Sequence, residues 1–345
     1  MYNEGNRIAQ GSLYWQAERK SSTSTLIPDL DNANVGRVIY SLFSEVICFQ
    51  VASLFYLRKL PCICRPEKKE VKMLKELLEN VRKTQPLVHN ITNYVTVNDC
   101  ANILLACGGS PIMSDDVEDV RDITAICSAL NINIGTLNDR TIPAMFEAGK
   151  ISNTLNHPVI LDPVGAGASA KRTQTAQALI NEIHFSVIRG NISEIKALAV
   201  GTASTKGVDA DVQDAVTDTN IDTVVKFARE FSASTGAVTV ITGAIDIISN
   251  DKKTYAVRNG HPMMSSVTGT GCMLSAITAA FVSANPDNIL YACLAAVCAM
   301  GLCGERAYLR LKESDGNSSY RNMLIDEMFN LSGKILAEGA KYEIM

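Results

Sequence analysis

The sequence has little charge and few histidines, and both shortages exclude classes of function. Charged residues make up 20% of the 345 residues, the formal net charge is −4, and there are four histidines. No run of Lys or Arg is dense enough to follow a nucleic-acid backbone, so we expect no nucleic-acid partner. Neither a Ser–His–Asp arrangement nor a zinc-ligand spacing emerges. With 47% hydrophobic residues, the composition is that of an ordinary globular protein.

We also expect no secretory signal, although the chain has ten cysteines. Most of them fall in apolar stretches of helical character, where a free thiol packs as a small hydrophobic group. These are Cys100, Cys107, Cys127, Cys293, Cys298 and Cys303. We therefore expect reduced cysteines and a cytoplasmic protein.

The first 66 residues lack the periodicity of the rest of the chain. We expect residues 1–66 to form an N-terminal extension that is disordered or loosely packed, and residues 67–345 to form one domain. An apolar run at 38–57 has the length of a membrane span. Glu45 and Gln50 lie inside it, and a carboxylate at mid-membrane is costly. Packing against protein is therefore favoured over a membrane anchor, and we expect no membrane partner.

From residue 67 onward, short apolar runs alternate with helical segments. The strand-like runs are 87–88, 132–134, 159–161, 186–188 and 238–241. A hairpin is predicted between 245–249 and 254–257, and helices are predicted at 272–284, 288–306 and 321–340. This alternation predicts an α/β fold in three layers, with a mostly parallel central sheet flanked by helices.

Each strand-like run ends in a polar or glycine-rich turn. Ligands of such sheets bind outside the carboxyl ends of the strands, so these turns should line one site. Asp162 follows a buried run, where a carboxylate needs a partner such as Mg²⁺ or a helix N-terminus. The alternative is a local turn of Asp162 with Pro163.

The stretch "RGNISEI" adds a cation and a second carboxylate. Arg189 directly follows a buried run, where a guanidinium can hold phosphate oxygens in a bidentate manner. Asn191 and Glu194 are neighbours on a first helical turn, and Glu194 can hold Mg²⁺ through water. The same pair also fits a helix cap, and the two interpretations are compatible.

The stretch "SVTGTGCML" resembles an anion site at the start of a helix. Gly269 and Gly271 allow a sharp turn, Thr268 or Thr270 can cap the helix, and the helix N-terminus attracts phosphate. Cys272 follows this turn. The alternative is an ordinary glycine turn in which Cys272 fills a gap in the core.

Two residues nearer the N-terminus suit a small ring. Asn93 can hydrogen-bond a polar heterocycle, and the thioether of Met113 suits an apolar ring, although core packing also explains Met113.

Seven stretches occur in the order "VHNITNYV", "GGSPIM", "NIGTLN", "ILDPVGAG", "RGNISEI", "VITG" and "SVTGTGC". Together they closely resemble the hydroxyethylthiazole kinases of the ribokinase-like superfamily, over about residues 68 to 345. The resemblance implies a ribokinase-like kinase domain at 67–345. It also implies ATP-dependent phosphorylation of the hydroxyl of 4-methyl-5-(2-hydroxyethyl)thiazole in thiamine salvage, with Mg²⁺. The resemblance further implies a homotrimer in which subunits share active sites.

The resemblance also implies roles for individual residues. Met113 and Gly269, and more weakly Asn93, match positions that contact the thiazole. Positions that contact ATP are matched by Arg189, Thr242 and Asn191. The carboxylates that organise Mg²⁺ are matched by Asp162 and Glu194. Cys272, in the turn of Gly269, Thr270 and Gly271, stands where the superfamily has a catalytic aspartate.

A cysteine at position 272 separates this family from its neighbours. Kinases of hydroxymethylpyrimidine or pyridoxal, and ATP-dependent NAD(P)H-hydrate dehydratases, usually carry aspartate there. Catalysis of phosphoryl transfer depends mostly on positioning the reactants and neutralising the phosphate charge, so a weak base suffices. A helix N-terminus lowers a thiol pKa, whereas nearby phosphate charge raises it. We expect Cys272 to be a modest base or an orienting group, with packing alone as the alternative.

Overall fold

A computed structural model describes residues 68–199 and 215–345, with side chains from residue 72 onward. The proposed extension at 1–66 and its apolar run at 38–57 lie outside the described residues, and the statements about them stay predictions.

Within the described residues, nine strands form a single sheet. They are β1 (Leu87–Ile91), β2 (Ser110–Met113), β3 (Ala129–Asn133), β4 (Val159–Asp162), β5 (Val187–Asn191), β6 (Val238–Thr242), β7 (Asp246–Ser249), β8 (Thr254–Val257) and β9 (Tyr342–Ile344). Their order in the sheet is β2-β1-β3-β4-β5-β6-β7-β8-β9. Neighbours from β2 to β6 pair in parallel, and those from β6 to β9 pair antiparallel.

The helices flank this sheet. They are α1 (Lys68–Thr84), α2 (Val97–Cys107), α3 (Asp119–Ile126), α4 (Thr141–Thr154), α5 (Ala170–Glu182), α6 (Ile192–Ala199), α7 (Ile221–Thr235), α8 (Thr270–Ala284), α9 (Ile289–Arg310), α10 (Asn317–Asn330) and α11 (Gly333–Gly339). One hydrophobic core joins α1, α2 and α8–α11 to a face of the sheet, and a second core joins α3–α7 to the opposite face. The predicted three-layer fold class is confirmed.

Side chains alternate between these two cores along the central strands, as the pleat of a strand requires. On β4, Ile160 belongs to the first core, whereas Val159 and Leu161 belong to the second. Both sides of the strand are therefore buried, which explains why the strands read as continuous apolar runs.

The predicted hairpin is confirmed as β7 and β8. Its turn is held by Asn250, whose Oδ1 accepts the backbone N–H groups of Lys252 and Lys253 at 2.9 and 2.7 Å. Strands β2 and β9 were missed. Strand β2 contains Pro111, which lacks a backbone N–H and is tolerated because β2 lies at the edge of the sheet.

The single helix predicted at 321–340 is wrong, because two helices occupy this region. Helix α10 ends before Leu331, whose backbone is extended. Ser332 then starts α11, with its Oγ accepting the N–H of Ile335 at 3.2 Å. The serine forms a new N-cap, and this cap interrupts the apolar periodicity that suggested one helix.

Most described cysteines lie in the first core. Cys100, Cys107, Cys293, Cys298 and Cys303 are all buried there, and the described cysteines are all free thiols. Burial raises the pKa of Cys100 to about 12 and that of Cys107 to about 11. Helix α9 carries three of these cysteines. Among the described helices, the segment Pro286–Arg310, which contains α9, is the one long and apolar enough to cross a membrane, and its most apolar stretch is 78% buried inside the protein. Its apolar composition is therefore that of a core helix.

Candidate active site

The carboxyl ends of the parallel strands meet the N-terminus of α8, and two cavities open near this junction. The smaller cavity, of about 230 Å³, has walls that include Asn90, Tyr94, Met113, Asn133, Asn138 and Met145. The larger cavity, of about 520 Å³, has walls that include Arg189, Thr242, Asp246, Met264, Gly271 and Met300. Cys272 follows Gly271 of the larger cavity and contacts Asn133 of the smaller one, so it lies between them.

The tip of α8 is shaped by its two glycines. Gly269 has a φ of +86°, in the left-handed region, and a Cβ atom there would lie 2.3 Å from Cγ2 of Thr96. At Gly271 a Cβ atom would lie 2.7 Å from Nη1 of Arg189. The glycines therefore let the helix tip approach the start of α2 on one side and a guanidinium on the other.

The predicted threonine cap of this helix is wrong. The N-cap residue is Gly269, and no side chain of the described residues caps the helix there. The hydroxyl of Thr270 instead donates to the carbonyl of Met264 at 3.4 Å. A glycine at the N-cap leaves the start of the helix without a competing side-chain oxygen, as an anion site requires.

Cys272 is held by two asparagines. Its Sγ accepts hydrogen bonds from Nδ2 of Asn93 at 3.2 Å and from Nδ2 of Asn133 at 3.3 Å. Burial raises the pKa of the thiol, and the charge of Asp162 raises it further, against the hydrogen bonds and the charge of Arg189. Burial has the largest effect on this thiol, and the net shift of its pKa is upward.

Asp162 is fully buried at the end of β4. Its Oδ2 accepts hydrogen bonds from Nδ2 of Asn133 and Oγ of Ser275, both at 2.8 Å. Its Oδ1 has no hydrogen-bond partner and faces Nη1 of Arg189 at 3.5 Å. Burial raises the pKa of this carboxyl, while Arg189 lowers it and the charge of Glu194 raises it again. A buried oxygen of this kind is suited to accept a further cation.

Arg189 joins the carboxylate to the larger cavity. The residue is 9% exposed, and its Nη2 donates to Oγ1 of Thr242 at 2.7 Å. Arg189 and Thr242, on the neighbouring strands β5 and β6, therefore point into the same cavity.

The capping interpretation of Asn191 and Glu194 is confirmed. The N–H of Asn191 donates to Oε2 of Glu194, and the N–H of Glu194 donates to Oδ1 of Asn191, both at 2.8 Å. The other carboxylate oxygen, Oε1, accepts the N–H of Gly165 at 2.9 Å. Both oxygens of Glu194 thus already hold backbone groups, which leaves it suited to hold an ion through water rather than directly.

Sequence reasoning missed Asn133, which hydrogen-bonds both Asp162 and Cys272. A signal existed, because Asn133 ends β3 as Asp162 ends β4, and the two are register partners. Thr96 was also missed. It precedes α2, and nothing in the local sequence indicates its approach to Gly269.

Asp246 was missed as well. It lies at the start of β7, in the wall of the larger cavity, and its Oδ1 accepts the N–H of Gly243 at 2.9 Å. Burial raises the pKa of this carboxyl to about 7. An acidic group with such a pKa in a cavity is a candidate for contact with a ligand.

The site residues predicted from the sequence lie in different parts of the structure. Met113 lines the smaller cavity, whereas Arg189, Thr242, Thr270 and Gly271 line the larger one. Asn93, Asp162 and Cys272 belong to the hydrogen-bonded group around Asn133, while Asn191 and Glu194 form the cap at the start of α6. No cluster of three or more His, Cys, Asp or Glu side chains suited to a metal occurs in the part of the chain that the structure describes.

Comparison with known proteins identifies relatives of this site and fold. The sequence model of the Hydroxyethylthiazole kinase family matches residues 78–334. A hydroxyethylthiazole kinase of Clostridium acetobutylicum is 67% identical over 271 residues, which cover 79% of this chain and 99% of that protein. One from Desulfovibrio desulfuricans is 47% identical, over 78% of this chain and 96% of the relative.

Solved structures agree with the sequence comparison. The hydroxyethylthiazole kinase protein of Pyrococcus horikoshii has a TM-score of 0.71 and 34% identity, over 79% of this chain and 99% of that one. The pyridoxal kinase of Staphylococcus aureus, at 14% identity and a TM-score of 0.51, over 75% of this chain and 97% of that one, shares the fold alone.

Proposed function

The chain belongs to the hydroxyethylthiazole kinase family and is a kinase that phosphorylates an alcohol; we propose that the acceptor is the primary alcohol of 4-methyl-5-(2-hydroxyethyl)thiazole and that ATP is the donor. The observation that carries this proposal is the position of Cys272 and Asn133 between two cavities of unequal size, with Arg189 in the larger. A kinase needs such a boundary, because the phosphoryl group passes between two bound molecules.

The nucleotide occupies the larger cavity in this proposal. Its walls include apolar side chains, such as Met264 and Met300, that suit a base. Arg189, Thr242 and Gly271 lie at the side of the cavity next to the tip of α8. A guanidinium and a helix N-terminus are both favourable surroundings for phosphate oxygens.

The thiazole alcohol occupies the smaller cavity. Met113 and Met145 offer polarisable thioethers to a sulfur-containing ring, and Asn133 lies on the side that leads to Cys272. Gly269 and Asn93 shape this region through Thr96 and Cys272 rather than lining it. The hydroxyethyl arm then points toward Cys272 and the donor phosphate.

Magnesium is part of the proposal, and the residues fit it. Asp162 has a buried oxygen without a hydrogen-bond partner, and Glu194 suits contact through water. One carboxylate, water and substrate phosphates are a usual set of ligands for Mg²⁺ in phosphotransferases. When bound, the ion neutralises part of the phosphate charge.

Cys272 has a limited part in the transfer. The raised pKa of its thiol favours the neutral form near pH 7, and this form orients the alcohol but cannot accept a proton. Only the minor thiolate form takes the proton of the alcohol, late in the reaction, and becomes the neutral thiol. A general base of this kind accelerates a reaction by about 10²- to 10⁴-fold. The tip of α8 and Arg189 contribute most of the electrostatic stabilisation of the transition state, since charge on the transferred phosphoryl group develops beside them.

A homotrimer with shared sites is also proposed. Tyr94 lines the smaller cavity and is 74% exposed, and its neighbour Val95 is 61% exposed. Large apolar side chains at the mouth of a cavity suit burial by a second copy. Analytical ultracentrifugation tests this, and a monomer at micromolar concentration would contradict it.

We further propose a cytoplasmic enzyme of thiamine salvage. The free, buried cysteines of the described residues support a reducing compartment.

The experiment that tests the function is ADP release from ATP with a panel of thiazole and pyrimidine alcohols, with and without Mg²⁺. We expect turnover with hydroxyethylthiazole, dependence on Mg²⁺, and little turnover with hydroxymethylpyrimidine or pyridoxal. Turnover with a pyrimidine or pyridine alcohol alone would refute the proposed acceptor.

A further inference from the structure

The side chain of Asn133 uses its full hydrogen-bonding capacity. Its Nδ2 donates to Oδ2 of Asp162 at 2.8 Å and to Sγ of Cys272 at 3.3 Å. Its Oδ1 accepts from Nδ2 of Asn93 at 3.1 Å and from the backbone N–H of Gly135 at 2.9 Å. An amide offers two N–H groups and two lone pairs, and all four are occupied here.

This pattern allows only one orientation of the amide. If the group were flipped, its oxygen would face the carboxylate of Asp162 and its NH₂ would face the N–H of Gly135. Both contacts would then be repulsive, at a site where Asn133 is 2% exposed and water cannot replace the lost partners. The amide is therefore fixed.

A fixed amide sets the position of two other groups. The sulfur of Cys272 accepts from Asn133 and from Asn93, so its own proton must point away from both amides. The carboxylate of Asp162 is held by the second N–H of the same NH₂ group. The side chain of Asn133 thus hydrogen-bonds both the thiol beside the smaller cavity and the carboxylate that pairs with Arg189 at the larger cavity.

The sheet makes this relation rigid. Asn133 and Asp162 are register partners on the parallel strands β3 and β4, so their Cα atoms are set by backbone hydrogen bonds rather than by a loop. Groups carried on strands are positioned more accurately than groups on loops, and phosphoryl transfer depends chiefly on such positioning.

We propose that Asn133 is a positioning residue of the reaction, which holds Cys272 and Asp162 at a fixed separation at the boundary between the two cavities. This inference rests on the proposed function for its kinetic consequence. Its structural consequence, the restraint on the Cys272 thiol, does not depend on the identity of the substrate.

The test compares Asn133→Ala with a matched variant, Asn131→Ala. Asn131 lies two residues earlier on β3, is equally buried, and donates to Oδ1 of Asn90 at 3.0 Å. Each variant removes a buried asparagine from the same face of the same strand. Of these two residues, only Asn133 bonds the thiol and the carboxylate, so we expect a loss of rate in Asn133→Ala and not in Asn131→Ala.

Two readouts are measured on the full-length protein. In steady-state kinetics, Asn133→Ala is expected to lower kcat by about 10- to 100-fold, with KM for ATP and thiazole changed less than about threefold. The same substitution is expected to cost less in a Cys272→Ala background, since part of its effect passes through the thiol. In alkylation by iodoacetamide, followed by peptide mass spectrometry, Cys272 is expected to react several-fold faster in Asn133→Ala while Cys107 does not.

The outcomes separate this inference from the proposed function. Wild-type protein that is inactive on every thiazole alcohol contradicts the proposed function, while the alkylation result still decides the positioning. The inference is overturned if Asn133→Ala and Asn131→Ala give the same Cys272 alkylation, or if an active enzyme shows the same kcat in both. If Asn133→Ala does not fold, Asn133→Leu replaces it, because leucine is of similar size and offers no hydrogen-bond donor to Asp162 or Cys272.

Discussion

Replacing Gly271 by alanine should separate activity from stability. The added Cβ atom would lie 2.7 and 2.8 Å from Nη1 and Nη2 of Arg189, so the guanidinium must move by several tenths of an ångström. Its hydrogen bond to Thr242, at 2.7 Å, and its pairing with Asp162, at 3.5 Å, are then disturbed together. The helix itself gains at most about 0.5–1 kcal/mol, the preference for alanine over glycine in a helix interior, because Gly271 lies in the first turn.

The magnitude follows from the hydrogen bond that Arg189 makes with a phosphate oxygen in the proposed function, because the displaced guanidinium no longer makes it. A hydrogen bond to a charged group contributes about 1.5–3 kcal/mol, and about 1.4 kcal/mol corresponds to a tenfold change. We therefore expect kcat/KM for ATP to fall roughly 10- to 100-fold, with KM for the thiazole little changed. The melting temperature should be unchanged or slightly lower, because the disturbed contacts of Arg189 offset the gain of the helix.

The assay is ADP release at varied ATP, paired with thermal denaturation of each variant. Gly316→Ala is the control, since a Cβ atom at this N-cap of α10 meets nothing within 4 Å. A Gly271→Ala enzyme with kcat/KM for ATP within about threefold of wild type would refute the role given to Arg189.

Three further predictions concern neighbouring groups. Cys272→Ala should be slow but measurable, with a loss within about 10²- to 10⁴-fold, and Cys272→Asp should equal or exceed the wild-type rate; a folded Cys272→Ala protein that binds ATP yet shows no turnover would contradict the modest base. Gly269→Ala should lower the free energy of unfolding by more than about 1–2 kcal/mol, because its φ is +86° and Thr96 blocks the space; an unchanged urea midpoint would contradict this. Asp246 has a native pKa of about 7 against an ordinary 3.8, so its contribution to stability is present below about pH 4 and is lost as the pH rises through 7. Between pH 5 and pH 8, the free energy of unfolding of wild type should fall relative to that of Asp246→Asn. Urea unfolding at both pH values measures this, and an equal change in the two proteins would contradict the raised pKa.

The strand ends were predictable because a simple rule applies to them. Parallel strands bring their carboxyl ends to one edge, so Asp162, Arg189 and Thr242 were expected together, and they are linked by contacts of 3.5 and 2.7 Å. The cap at Asn191 was predictable for a similar reason, since its geometry depends on residues three apart.

Features that depend on distant contacts were not predictable. The thiol pKa of Cys272 is decided by burial and by Asp162, which lies 110 residues earlier in the chain. The approach of Thr96 to Gly269 joins the starts of two helices far apart in sequence. The missed break at Leu331 is a different case, because Ser332 is a local signal that the apolar periodicity obscured.

The uneven placement of cysteines offers a way to follow one side of the sheet alone. Cys100, Cys107, Cys293, Cys298 and Cys303 belong to the core beneath α1, α2 and α8–α11, and the opposite core has none among the described residues. Their burial and raised pKa values make them slow to react while the native packing persists. Labelling rates in dilute denaturant would therefore measure how often that layer opens, and a rate that differs from global unfolding would show that the two layers come apart independently.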